Sequence, residues 1–117
     1  MKAKAFLSRV GTEYRKVRKI REEMRTAGEG QRQEELRRRL KSAAGQYAGI
    51  LKEVWDLIDE VEPGTEREVL VRKYIYLEPM EQICAESECT QRTGYTRHAK
   101  AVRAVQRLLD NRSVSAA

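Results

Sequence analysis

From Leu36 to Val61 the apolar residues recur in alternating steps of four and three: Leu36, Leu40, Ala43, Tyr47, Ile50, Val54, Leu57, Val61. That spacing keeps every member on one side of an α-helix and is the seam pattern of a coiled coil. Ala44, Leu51, Trp55 and Ile58 widen the stripe on one side, which suits a helix with more than one neighbour. Ala3, Leu7, Val10, Tyr14, Val17, Arg21 and Met24 repeat the spacing. Arg21 is the one polar member, and its long stem can snorkel. Between the patterns lies TAGEGQ, residues 26–31, a break carrying two glycines. The expectation is a helix over about 2–26 and another over about 31–62, folded back on each other. At ~1.5 Å per residue the second would be about 45 Å long. A two-helix hairpin of that length has few ways to bury both faces alone. Self-association as a homodimer or higher homo-oligomer, in a four-helix arrangement, is therefore expected.

The composition fits long helices with solvated faces. Charged residues make up 36% of the chain and aromatics 6%. A net charge of +6 favours polyanionic partners, meaning nucleic acid or an anionic membrane surface. No apolar run approaches the ~18 residues needed to span a bilayer. The first residues lack the apolar stretch and small-residue cleavage site of a signal peptide. A cytoplasmic protein is expected, with Cys84 and Cys89 as reduced thiols. The charge is uneven: +6 over residues 1–26, −2 over 27–62, −4 over 78–88 and +5 over 89–117. The basic face Arg15, Lys16, Arg18, Lys19 reads either as a solvated helix face or as a grip on nucleic acid.

EPGTERE, residues 62–68, ends the second helix and opens a third. Thr65 is placed to cap it, with Glu68 at the reciprocal capping-box position. The third helix should run to about Tyr76, with Val69, Leu70, Tyr74 and Ile75 inward. A short fourth helix over about 79–87 follows Pro79, which fits a first turn because its missing N–H costs little there. Met80, Ile83 and Cys84 face inward. After a turn at SEC, Thr90 caps a fifth helix whose inner stripe reads Tyr95, His98, Val102, Val105, Leu109. Its opposite face carries Arg92, Thr96, Lys100, Arg103 and Arg107. Two short helices joined by a tight turn, the second one basic, suit a helix-turn-helix unit whose second helix enters the major groove. Phosphates attract the basic helix, and they tolerate Glu78, Glu81, Glu86 and Glu88 only if the fourth helix stands away from them. The chain thus divides into a hairpin over 1–62, a helix-turn-helix domain over 63–112 and a disordered tail over 113–117. The fold class is all-α.

LVRKYIYLEPMEQICAESECTQRTGYTRHAKAVRAVQRLL, residues 70–109, resembles the promoter-reading C-terminal domain of bacterial sigma factors. With its hairpin, PGT break and TxxxYxRHxxAV helix, the chain over about 13–110 resembles more closely the small phage- and prophage-encoded ArpU/RinA-like transcription regulators. That resemblance implies DNA binding through the fifth helix, control of phage gene expression and residence in a bacterial host's cytoplasm. The chain departs from the pattern at Gly94 and Arg97, where such helices carry aliphatic residues, and at Met80 and Cys89, where aromatics are frequent. An internal glycine costs roughly 1 kcal/mol against alanine and removes core contact, so it bears on how the fourth and fifth helices pack.

No catalytic constellation is present. There is one histidine, no Gly-rich phosphate loop and no acid pair beyond ordinary helical faces. The chain does not read as an enzyme, and no cofactor is implied. Cys84, Cys89 and His98 make three metal ligands at best, where zinc usually takes four or leaves a catalytic opening. Core thiols and a packing or DNA-facing histidine are the plainer reading. Tyr95 and Arg97 face either the core or DNA, according to the rotation of the fifth helix. Three functions compete. The leading one is a sequence-specific regulator binding double-stranded DNA through Thr90, Gln91, Arg92, Tyr95 and Thr96, with Lys100 and Arg103 on phosphate. Its hairpin would dimerise or meet RNA polymerase. The second is a DNA-recognition subunit of a phage packaging machine. The third is a polymerase-binding module without DNA binding.

Overall fold

The computed structural model describes the backbone of residues 1–116 and the side chains of residues 1–112. The chain is all-helical over this range: α1 (Ala3–Thr26), α2 (Gln31–Ile58), α3 (Thr65–Leu70) continuing as a π-helical turn (Val71–Ile75), α4 (Met80–Glu86) and α5 (Gln91–Ala116). Against the disordered tail expected over 113–117, the backbone of α5 continues as helix to Ala116; Ala117 and the side chains from 113 onward lie outside the described residues.

The α1–α2 hairpin forms as the heptads require. Its turn uses two glycines at positive φ, Gly28 at 69° and Gly30 at 115°. Only glycine adopts that conformation at little cost. The inner face of α1 differs from a strict heptad. Phe6, Leu7, Val10, Gly11, Val17 and Ile20 are buried and Arg21 is exposed, while Tyr14 stays at the edge of the seam with its ring 5.9 Å from that of Tyr47 on α2. A straight helix drifts relative to a 3.5-residue repeat. The stripe therefore passes from position 21 to position 20, and no arginine enters the seam. The N-terminus of α1 has no cap from its own segment. Instead the Gln106 side chain of α5 accepts a hydrogen bond from Ala3 N at 2.8 Å.

α2 ends at Ile58, not Glu62. Arg67 reaches back across the turn and donates to the Val61 carbonyl at 2.8 Å. It donates to the Asp59 carbonyl as well. These bonds satisfy acceptors that continued helix would otherwise have used. The expected capping box does not form: Gly64 occupies the cap position of α3 at φ 150°, and Thr65 makes no capping bond. The third helix is also not uniform. Tyr76 N bonds to Val71 O and Glu78 N to Arg72 O, so the ladder widens before the chain turns through Leu77 at φ 58°.

The principal core joins both halves of the chain. Phe6, Leu7 and Val10 of α1 and Val54, Leu57 and Ile58 of α2 pack with Leu70 and Tyr74, and with Ala101 and Val105 of α5. The boundary expected between 62 and 63 falls in the turn, while hydrophobic burial runs across it. A smaller cluster, Val69, Met80, Ile83 and Cys84, seats α4. The molecule extends 51 × 42 × 19 Å along its principal axes, so its shortest dimension holds two layers of helices.

Candidate nucleic-acid interface

The α4–turn–α5 unit is built by two local devices. Pro79 caps α4, its carbonyl accepting from Gln82 N at 3.1 Å and Ile83 N at 3.2 Å. Thr90 Oγ1 accepts from Thr93 N at 3.2 Å, the N-cap bond expected for α5. That hydroxyl also donates to Thr93 Oγ1 at 3.0 Å, so both of its roles are engaged within the helix end. Between the helices Glu88 adopts φ 53°, and Cys89 N bonds to Cys84 O at 3.1 Å, which makes the reversal tight.

The rotation of α5 differs from the expected stripe. Gly94, His98, Ala101 and Val105 face inward; Val102 and Leu109 are half-buried, and Tyr95 is 54% exposed. The reason is size. An ideal Cβ at Gly94 would collide with Cys84 Sγ and stand 3.6 Å from Met80 Cε, so the smallest residue lies where α5 crosses α4. Ala101 plays the same part against the main core. Gly94 is therefore the residue that allows the close approach. Arg97 is half-buried, near enough to Cys84 to favour its thiolate, although burial dominates and pushes that thiol up.

With this rotation Thr90, Gln91, Arg92, Tyr95, Thr96, Lys100 and Arg103 are all exposed, as is Arg107. Arg92, Thr96, Lys100, Arg103 and Arg107 follow one another at helical spacing and form a ridge. Among the described residues, none of its four cations lies within ion-pairing distance of a carboxylate. Thr96 Oγ1 donates to Arg92 O at 2.9 Å, so its proton is engaged within the ridge.

The acids of the fourth-helix region have a partner that the sequence reading missed. Arg72, at the start of the π-helical turn, places Nε 2.6 Å from Glu78 Oε2 and Nη2 on Glu86, with Ser87 Oγ 3.5 Å from Nη1. Its side chain is 14% exposed, so the pair is screened less than a surface one. Glu81 and Glu88 remain exposed. No sequence signal marked Arg72, because its reach to Glu86 spans fourteen residues and two changes of chain direction.

His98 is buried and its Nε2 lies 2.7 Å from the Tyr74 hydroxyl. Burial, then the charges of Lys73 and Lys4, hold it below the usual imidazole value. Cys84 and Cys89 are free thiols, and no group of three potential metal ligands converges among the described residues. No helix of the described residues is long and apolar enough to cross a membrane. Compared with known proteins, the chain matches no family, no curated protein and no solved structure.

Proposed function

We propose that this chain is a sequence-specific, double-stranded-DNA-binding transcription regulator of the phage- or prophage-encoded kind that its sequence resembles. The observation that carries the reading is the exposed ridge on α5: four unneutralised cations in line, opening on a first turn that presents Gln91 and Arg92. Phosphate neutralisation supplies affinity, and bidentate groups in the first turn supply discrimination between bases. The ion pairs of Arg72 with Glu78 and Glu86 support it further, because they reduce the acidic charge that would otherwise oppose phosphates beside the ridge.

Self-association belongs to the same reading. Leu51 and Trp55 on the widened side of α2 are only half-buried within one chain. Trp55 stands outside the residues packed on the main core. A second copy covering this strip would give a two-fold pair of recognition helices, whereas a closed ring would favour the packaging-subunit alternative. RNA polymerase is a further partner in the regulator reading.

The deciding experiment is selection of bound duplexes from a random pool, followed by alanine variants on the enriched site. Gln91→Ala and Arg92→Ala should cost specific affinity by roughly 1–3 kcal/mol per good bidentate contact. Lys100→Ala and Arg103→Ala should weaken binding to every sequence alike and reduce the salt slope by about one each. A palindromic motif supports a dimeric regulator. No enrichment and no gel shift at low salt would hand the lead to the polymerase-binding module.

A further inference from the structure

Beside the recognition helix lies an open cleft of about 640 Å³ between α1, the π-helical turn and the start of α5. Lys4 and Arg15 line it from α1, and Lys73 from the turn; Tyr95 stands at its edge, with Tyr74 and His98 also lining it. Among the described residues, none of the three cations is ion-paired. The one carboxylate in the lining, Glu78, is already engaged by Arg72 at 2.6 Å. Gly11 keeps the wall low: a Cβ there would press on Arg15 at 3.2 Å and on Leu77 at 3.4 Å. The widened π turn and the positive φ of Leu77 bring Lys73, Tyr74 and Leu77 to the same lining. Such irregular turns gather at functional sites.

We propose that this cleft is a phosphate site that takes the sugar–phosphate backbone flanking the groove entered by α5. The proposal rests on the DNA-binding reading and deepens it. Tyr95 belongs both to the exposed side of α5 and to the cleft, so the two surfaces are continuous. A strand leaving the ridge past Tyr95 meets three cations lining one cleft, none of them paired with a carboxylate among the described residues. Phosphate is the anion that such a cluster suits, through charge and multiple N–H donors. The hairpin helix α1 thereby becomes part of the DNA interface, through Lys4 and Arg15 together.

The single histidine of the chain gives a direct probe, because His98 lines the cleft. Tyr74 is hydrogen-bonded to His98, Lys73 and Lys4 act on it by charge, and Arg15 from α1, Glu78 from the turn segment and Tyr95 from α5 line the same cleft. A phosphate seated there offsets the lysines that hold the imidazole down, so its titration should move up. The experiment follows the His98 ring proton by NMR across pH, on the whole chain alone, with a bound duplex, and with inorganic phosphate or a mononucleotide. In parallel, Lys4→Ala, Arg15→Ala and Lys73→Ala are titrated against duplex over a salt series, with helicity checked by circular dichroism. Expected are an upward move of His98 with duplex and a salt slope smaller by about one for each cation removed, with sequence preference unchanged. Duplex binding that leaves His98 and the three slopes unaltered overturns the cleft proposal and leaves the DNA reading standing. A move of His98 with mononucleotide but not with bound duplex makes this a small-anion site and overturns the backbone assignment. Absence of any duplex binding by the parent chain at low salt removes both readings together.

Discussion

The Tyr74 hydroxyl lies 2.7 Å from His98 Nε2, tying the π-helical turn to α5 across 24 residues of sequence. The ring centroids are 5.8 Å apart and the planes 27° from parallel. With tyrosine as donor the imidazole accepts, which places its proton on Nδ1. This polar contact sits where the basic helix, the turn and α1 meet. Tyr74→Phe should therefore cost about 1–3 kcal/mol by leaving a buried acceptor without its donor. A change in denaturation midpoint too small for that range would mean the bond contributes little.

The same histidine sets a pH dependence. Burial, Lys73 and Lys4 depress its folded value, while the unfolded chain protonates near the ordinary value of about 6.5. Below that pH the unfolded state takes up a proton that the folded state resists, so stability present at neutral pH is lost on acidification. The thermal midpoint should fall between about pH 7.5 and about pH 5.5, and His98→Gln should flatten the fall. A midpoint that rises over this window contradicts the sign.

Gly94→Ala tests the α4–α5 contact. Helix propensity alone would stabilise this variant by roughly 1 kcal/mol. The collision of its Cβ with Cys84 Sγ opposes that, and overpacking of a filled core costs typically about 1–3 kcal/mol. Net destabilisation is expected, and Cys84→Ala in the same chain should recover much of it by removing the opposing sulfur. Additive effects in that double-mutant cycle would show that the two residues do not compete for one space.

Arg72→Met should lower thermal stability, because Glu78 and Glu86 lose their partner. It should also weaken DNA binding, more at low salt than at high. Adding Glu78→Gln and Glu86→Gln to the variant should restore affinity. Fluorescence anisotropy at two salt concentrations decides it; an affinity unchanged by Arg72→Met would show that these carboxylates lie too far from the nucleic acid to matter.

Leu51→Asp should dissociate the assembly, because it places a charge on the half-buried strip of α2. The measurement is sedimentation equilibrium on the whole chain. The fragment 1–62 is a poorer subject, since Phe6, Leu7 and Val10 share their core with Leu70, Tyr74, Ala101 and Val105 and would be left wet without them. A parent chain that sediments as a monomer at micromolar concentration removes the need for a partner on α2.

Local pattern was enough to read the helices. Apolar spacing, two glycines at the first turn, and Pro63, Gly64 and Pro79 are nearest-neighbour properties of the chain, so α1, α2, α4 and the start of α5 were legible within a few residues. The outward face of α5 was legible too, because charged side chains avoid burial and Arg92, Lys100 and Arg103 could face only solvent. Other features depended on groups far apart in the sequence. Which of Gly94 or Tyr95 turned inward was decided by the sulfur of Cys84 on another helix, since a close crossing admits only the smallest residue. Arg67 ended α2 early by capping carbonyls behind it, and Gln106 capped a helix more than a hundred residues away. Arg72 found its carboxylates, and Lys4, Arg15 and Lys73 came to line one cleft, only after the chain had folded back. Periodicity carries no information about such meetings, because they depend on how rigid helices pack in three dimensions rather than on the spacing along any one of them.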